Sequence, residues 1–176
     1  MKQFVMMLLV LCCAAFGRAA EEVQFPVSAL PEVWIAGKAP TAWAPGEVTV
    51  VECWATWCGP CVRALPHMEK LHKALKDERV NFIGVNVADR KTAEQVQAFL
   101  EAQPVAPTYP MAIDRENKLA QRLKFQGIPF AVVVREGTVV WRGHPMTLTE
   151  AMLRDLRDGK APASESAKPK RIQPAL

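Results

Sequence analysis

The narrowest chemistry in this 176-residue chain belongs to Cys58-Gly-Pro-Cys61. Two thiols with two residues between them can ligate zinc, close a structural disulfide or exchange disulfides with another molecule. Zinc takes about four ligands, and beyond the pair only Cys53, His67, His72 and His144 are on offer, at no zinc-site spacing. A bridge across two residues closes a tiny loop, so it restrains the unfolded chain very little. The flanking residues favour exchange. Val48 to Trp54 is a β-branched, apolar stretch that reads as a buried strand, and Pro60 suits the first turn of a helix, where no backbone N–H is needed. A strand-to-helix junction sets Cys58 against unpaired N–H groups and the positive end of the helix dipole. That setting favours thiolate, the nucleophilic form of cysteine.

The elements around the pair follow from pattern. The helix from Pro60 to about Lys76 carries Leu65, Met68, Leu71 and Leu75 on one stripe, with Pro66 inside it as a predicted kink. Val80 to Val87 is a second strand. Thr92 and Gln95 form a capping box for a helix running to about Ala102. Pro104 to Pro110 is a loop, Tyr109 to Ile113 a short extended piece and Glu116 to Leu123 a short helix. Phe130 to Val134 and Thr138 to Arg142 make a hairpin around Arg135-Glu136-Gly137. Thr147 and Glu150 form a second capping box, opening a last helix to about Asp158. The order predicts an α/β fold: a central mixed β-sheet, parallel in its first half, with helices on both faces.

Composition bounds this reading. With 50% hydrophobic and 23% charged residues the chain supports one domain with a core, not a low-complexity or collagen-like polymer. Lys2, the uncharged run from Phe4 to Phe16 and the small residues of Gly17-Arg18-Ala19 predict a secretory signal peptide over 1–19. The run falls short of the ~20 residues that span a bilayer, and Leu11 before Cys12 is bulkier than lipoprotein processing uses. Residues 159–176, rich in Ala, Pro, Ser and Lys, read as a disordered basic tail after a domain spanning 20–158. The excess positive charge therefore sits in Lys2 and Arg18 of the leader and in Lys160, Lys168, Lys170 and Arg171 of the tail, offset there by Glu165 alone. The domain between is nearly balanced, and nothing in it resembles a nucleic-acid-binding face. Export would discard Cys12 and Cys13, leaving one pair and one spare, Cys53.

Glu52-Cys-Trp-Ala-Thr-Trp-Cys-Gly-Pro-Cys61 resembles the active-site strand and turn of thioredoxins. Trp54-Ala-Thr-Trp57, the leader, Gly37-Lys-Ala-Pro40 and the helix near Thr92 are similar to the exported TlpA/ResA-like branch, over roughly residues 30–158. The resemblance implies a thioredoxin-like fold and a thiol–disulfide oxidoreductase, with Cys58 as attacking and Cys61 as resolving cysteine and Trp57, Gly59 and Pro60 beside the substrate. It implies that Gly127-Ile128-Pro129 carries a cis proline facing the cysteines, with Ile128 offering backbone hydrogen bonds to an extended substrate. Phe130 departs from the small or hydroxylated residue common after that proline.

Glu52 lies where thioredoxins carry a buried acid. In an otherwise apolar strand it is either turned to solvent at a sheet edge or buried, and a buried carboxyl has a raised pKa that lets it exchange protons with Cys61. Cys53 faces the other side of the sheet, as a packing residue or as a third redox thiol. Trp57 is expected to lid Cys58 and Trp54 to pack beneath the helix. His144 ends the last strand, either lining the groove or standing as an exposed loop residue; His67 and His72 read as surface residues of the first helix.

The residues and the resemblance together predict an exported, monomeric enzyme that reduces disulfides in protein substrates with no metal or organic cofactor. Its expected place is periplasmic or extracytoplasmic, soluble after leader cleavage or tethered to the membrane. The resemblance implies recharging by a membrane thiol reductant. Two alternatives stand beside it. One is a disulfide-forming oxidase. The other is a non-catalytic binding module for copper delivery or chaperoning, although Met68, Met111, Met146 and Met152 lack the clustering a copper carrier wants.

Overall fold

The computed structural model describes residues 23–161. The expected leader and the tail beyond residue 161 lie outside the described residues. Strand β1 (Val33–Ala36) precedes β2 (Val48–Trp54), α1 (Gly59–Leu75), β3 (Val80–Val87) and α2 (Ala93–Glu101). Then come β4 (Met111–Asp114), α3 (Lys118–Leu123), β5 (Phe130–Arg135), β6 (Thr138–Gly143) and α4 (Glu150–Arg157).

The six strands form one mixed sheet in the order β1-β4-β3-β2-β5-β6. Every residue of β2 is buried, as an interior strand covered on both faces requires. It runs parallel to β3 and antiparallel to β5, placing Glu52 between Gly84 and Ala131. One face of the sheet packs Val48, Val50 and Trp54 with Leu65, Met68 and Leu75 of α1, Val96 and Leu100 of α2, and Leu153 and Leu156 of α4. The other face gathers Val51, Cys53, Val132 and Val134 with Leu119 and Leu123 of α3. The mixed sheet with helices on both faces is the expected architecture.

Local chemistry explains the element ends. Thr92 and Gln95 make the reciprocal capping box that their spacing predicts. The hairpin turns on Glu136 and Gly137, both at positive φ (50° and 84°), as a two-residue turn between twisted strands requires. Two expectations need correction. The second cap is Thr149, whose side chain accepts from the Met152 N–H, because Pro145–Thr147 first forms a 3-10 turn. Helix α3 starts at Lys118 rather than Glu116: Asn117 is left-handed, and the Asp114 carboxylate takes the Lys118 and Leu119 N–H groups.

The N-terminal residues add elements that the periodicity did not give. Phe25 is fully buried, its N–H donates to the Gly137 carbonyl (2.7 Å), and Val139 N–H donates to Val23 O (2.9 Å). This strap and β1, which pairs antiparallel with β4, extend the sheet beyond the elements read from pattern.

Candidate active site

Cys58 is the N-cap of α1, with extended backbone and Pro60 in the first turn. It is disulfide-bonded to Cys61, with the two Cα atoms 5.2 Å apart. The Cys61 N–H donates to Cys58 Sγ (3.3 Å), so a free N–H of the first helical turn is aimed at the sulfur. Both cysteines are buried, Cys58 at 5% and Cys61 at 1%, while Trp57, Gly59 and Pro60 around them are exposed. Cys58 is thus the outer sulfur.

Strand register brings the rest of the site to this end of the sheet. Cys53 pairs with Phe130, so the residues after β2 lie beside the residues before β5. There the Ile128–Pro129 bond is cis, and the Ile128 carbonyl oxygen lies 3.8 Å from Cys58 Sγ. Ala131 pairs with Gly143, which carries His144 to the same end. His144 is exposed, and its Nδ1 accepts from the Met146 N–H (3.2 Å).

A clamp that pattern reading missed holds the cysteine loop. Trp57 Nε1–H donates to the Ala88 carbonyl (2.9 Å), and Thr56 N–H donates to Asp89 Oδ2 (2.8 Å). Trp57 is therefore tied to the loop after β3 and is 61% exposed. Ala88 is held at φ 51°, its N–H bonded to Asn117 Oδ1 (2.9 Å). Burial pushes the Asp89 carboxyl up, but bonds from Thr56, Asn86 and Lys91 outweigh it and hold the group below its ordinary range. Nothing in the local spelling of Ala88-Asp89 marks this role, which depends on β3 lying beside β2.

The sequence profile of Redoxin matches residues 37–157, most of the chain and every element from β2 to α4. The chain belongs to the Redoxin family. It is 26% identical over 64% of its length to the thiol-disulfide oxidoreductase ResA of Halalkalibacterium halodurans, and 29% over 62% to ResA of Bacillus subtilis. It spans 62% and 59% of those two proteins. A thioredoxin family thiol:disulfide interchange protein from Chlorobium tepidum superposes with a TM-score of 0.60 at 22% identity, covering 80% of this chain and 97% of that one. The fold is thioredoxin-like, and the resemblance to the TlpA/ResA-like branch stands.

Behind the Redoxin disulfide, Glu52 is 2% exposed in the interior of the sheet, which removes the sheet-edge reading. By strand alternation it shares a face with Val50 and Trp54, the face that packs against Cys61 and α1. The Tyr109 hydroxyl donates to Glu52 Oε1. Burial pushes the Glu52 carboxyl up to about 7, the Tyr109 bond pulling in the opposite direction. Cys53 points into the other core, 1% exposed, its thiol pushed up by burial and by the charges of Glu52 and Asp114. Trp54 is buried and stacks with Phe99 of α2 at 6.4 Å, so it reaches beyond α1.

Sequence reasoning missed two groups here, Tyr109 and Glu69. Glu69 of α1 is 1% exposed and accepts from Thr108 N–H and Oγ1 (both 2.8 Å) and Lys73 Nζ (3.0 Å). Its neighbour His72 is half-buried rather than a surface residue, with its ring 5.5 Å from both Phe82 and Tyr109. His67 binds the Leu148 carbonyl (3.0 Å), tying α1 to the turn ahead of α4. Among the described residues, no three His, Cys, Asp or Glu side chains form a group able to hold a metal ion.

Proposed function

We propose that this Redoxin domain is a thiol–disulfide oxidoreductase that reduces disulfides in other proteins. The observation that carries the reading is the Cys58–Cys61 disulfide at the head of α1, with Cys58 Sγ 3.8 Å from the carbonyl before cis-Pro129. The ResA relatives are named for thiol–disulfide chemistry, which supports it. In the reduced enzyme, Cys58 thiolate attacks one sulfur of a substrate disulfide. A mixed disulfide forms, and the substrate's other sulfur leaves as a thiolate that takes up a proton. The Cys61 N–H and the head of α1 stabilise the Cys58 anion before attack.

Glu52 accepts the proton of Cys61, whose thiolate then attacks Cys58 Sγ, releases the second substrate thiol and closes the disulfide seen in this structure. Two electrons and two protons from a dithiol donor restore the reduced enzyme. A membrane thiol reductant fits that donor for an exported protein. Ile128 pairs with extended substrate backbone beside Pro129, and Trp57, Gly59, Pro60 and His144 border the bound segment. The full assignment is a leader over 1–19, a monomeric periplasmic domain over 20–158 and a basic tail over 159–176. Among the described residues, no helix is long and apolar enough to cross a membrane.

Insulin reduction driven by a dithiol tests the mechanism. Cys58→Ser lowers the rate to the uncatalysed background. Cys61→Ser accumulates a covalent adduct with a disulfide substrate, seen by non-reducing mass analysis and absent in the double variant. An active Cys58→Ser protein, or adducts that form without Cys58, refutes the scheme.

A further inference from the structure

Tyr109 and Glu52 are distant in sequence and meet beside a residue that has no side chain. Gly84 is the β3 residue paired with Glu52, and a Cβ built there would meet Met111 Sδ and Cε and come within 3.3 Å of Tyr109 Cε2. The Met111 side chain fills this space and the Tyr109 ring borders it, 1% exposed, held between His72 (5.5 Å) and Phe82 (5.9 Å). Its hydroxyl therefore emerges beside the carboxylate that the proposed mechanism uses, and donates to it.

We propose that Tyr109 is a positioning residue of the redox centre: its hydroxyl, reaching Glu52 across Gly84, orients that carboxylate and sets the pH at which it takes the Cys61 proton. The inference rests on Glu52 being the proton acceptor. A donor to a buried carboxylate favours the charged form, so this bond opposes the burial that pushes Glu52 up. Tyr109 itself stays a donor, because burial and the nearby Glu52 and Glu69 charges push its phenol well above the ordinary value.

The other groups facing the pair are few. Helix α1 supplies Cys61, Glu69 and His72; burial pulls His72 down, with Lys76 and Lys73 adding to it and Glu69 opposing. Strand β2 adds Cys53 on the opposite face, while β3 and β5 present Gly84 and Ala131 to Glu52. Helix α4 turns Met152, Leu153 and Leu156 inward, its Glu150 and Arg154 being engaged at the surface around Glu78.

Tyr109 is the only tyrosine in the sequence, so a single ring label reports on it alone. With [13Cζ]-tyrosine in the full chain, the one resonance should shift with a midpoint near pH 7. In Glu52→Gln that step should vanish. A flat wild-type resonance, or one that titrates unchanged in Glu52→Gln, overturns the proposal. Tyr109→Phe keeps the ring between His72 and Phe82, and it should raise the midpoint of the pH–rate curve for insulin reduction by about one to two pH units. An unshifted Tyr109→Phe curve beside an altered Glu52→Gln curve overturns the Tyr109 inference alone. A wild-type curve in Glu52→Gln overturns the role of Glu52 and this inference together.

Discussion

At Glu52 a carboxyl ionises inside a sheet where, among the described residues, a tyrosine hydroxyl is its hydrogen-bond donor, so its charge exchanges full hydration for one bond. Its pKa rises from 4.5 to about 7 on folding, so the folded state binds the proton more tightly than the unfolded chain. The resulting stability is fully present below pH 4.5 and is lost as pH rises through about 7. By linkage the loss is at most about 3 kcal/mol. Glu52→Gln keeps the shape and stays neutral, so it should remove this slope and be the more stable protein above pH 7. Urea unfolding of both proteins between about pH 4 and 8 checks this; parallel pH dependences would show that Glu52 is not the group responsible. The same desolvation makes Glu52 suited to exchange a proton near neutrality.

Caps show where local pattern suffices at the level of elements and where it does not. Thr92 and Gln95 form their box because both partners lie within one helical turn. Thr147 and Glu150 have the same spacing, yet Pro145 starts a 3-10 turn and Thr147 Oγ1 donates to the His144 carbonyl (2.8 Å) instead. The cap passes to Thr149. Thr149→Ala should therefore cost about 1 kcal/mol, and Thr147→Ala clearly less. Thermal unfolding of the two variants tests the assignment, and equal losses would contradict it.

Over the whole molecule, the second core depends on residues far from the motif. Phe25 is fully buried, its ring tilted against Trp43 at 6.0 Å, and lies against the face that carries Cys53, Val132 and Leu123. Trp43 Nε1–H donates to the Phe25 carbonyl (2.6 Å). Removing that ring opens a cavity the sheet cannot close, so Phe25→Ala should cost about 3–5 kcal/mol in denaturant unfolding. A loss under about 1 kcal/mol would mean that the strap is an accessory to the domain rather than part of its core.

The sequence by itself determined the Cys58–Cys61 junction, the buried strand before it, the α/β class and the hairpin, because each is written in contiguous residues and a period of two or 3.6. It also placed Glu52 in an apolar strand but left its surroundings open. Only the tertiary structure decided those: β2 became an interior strand, Gly84 left room for Met111 and the edge of the Tyr109 ring, and that tyrosine, 57 positions away in the chain, supplied the hydrogen bond. The Ala88–Asp89 clamp and the Phe25 strap are hidden for the same reason. They act across strands whose register is set by the packing of both cores, and no local spacing encodes such contacts.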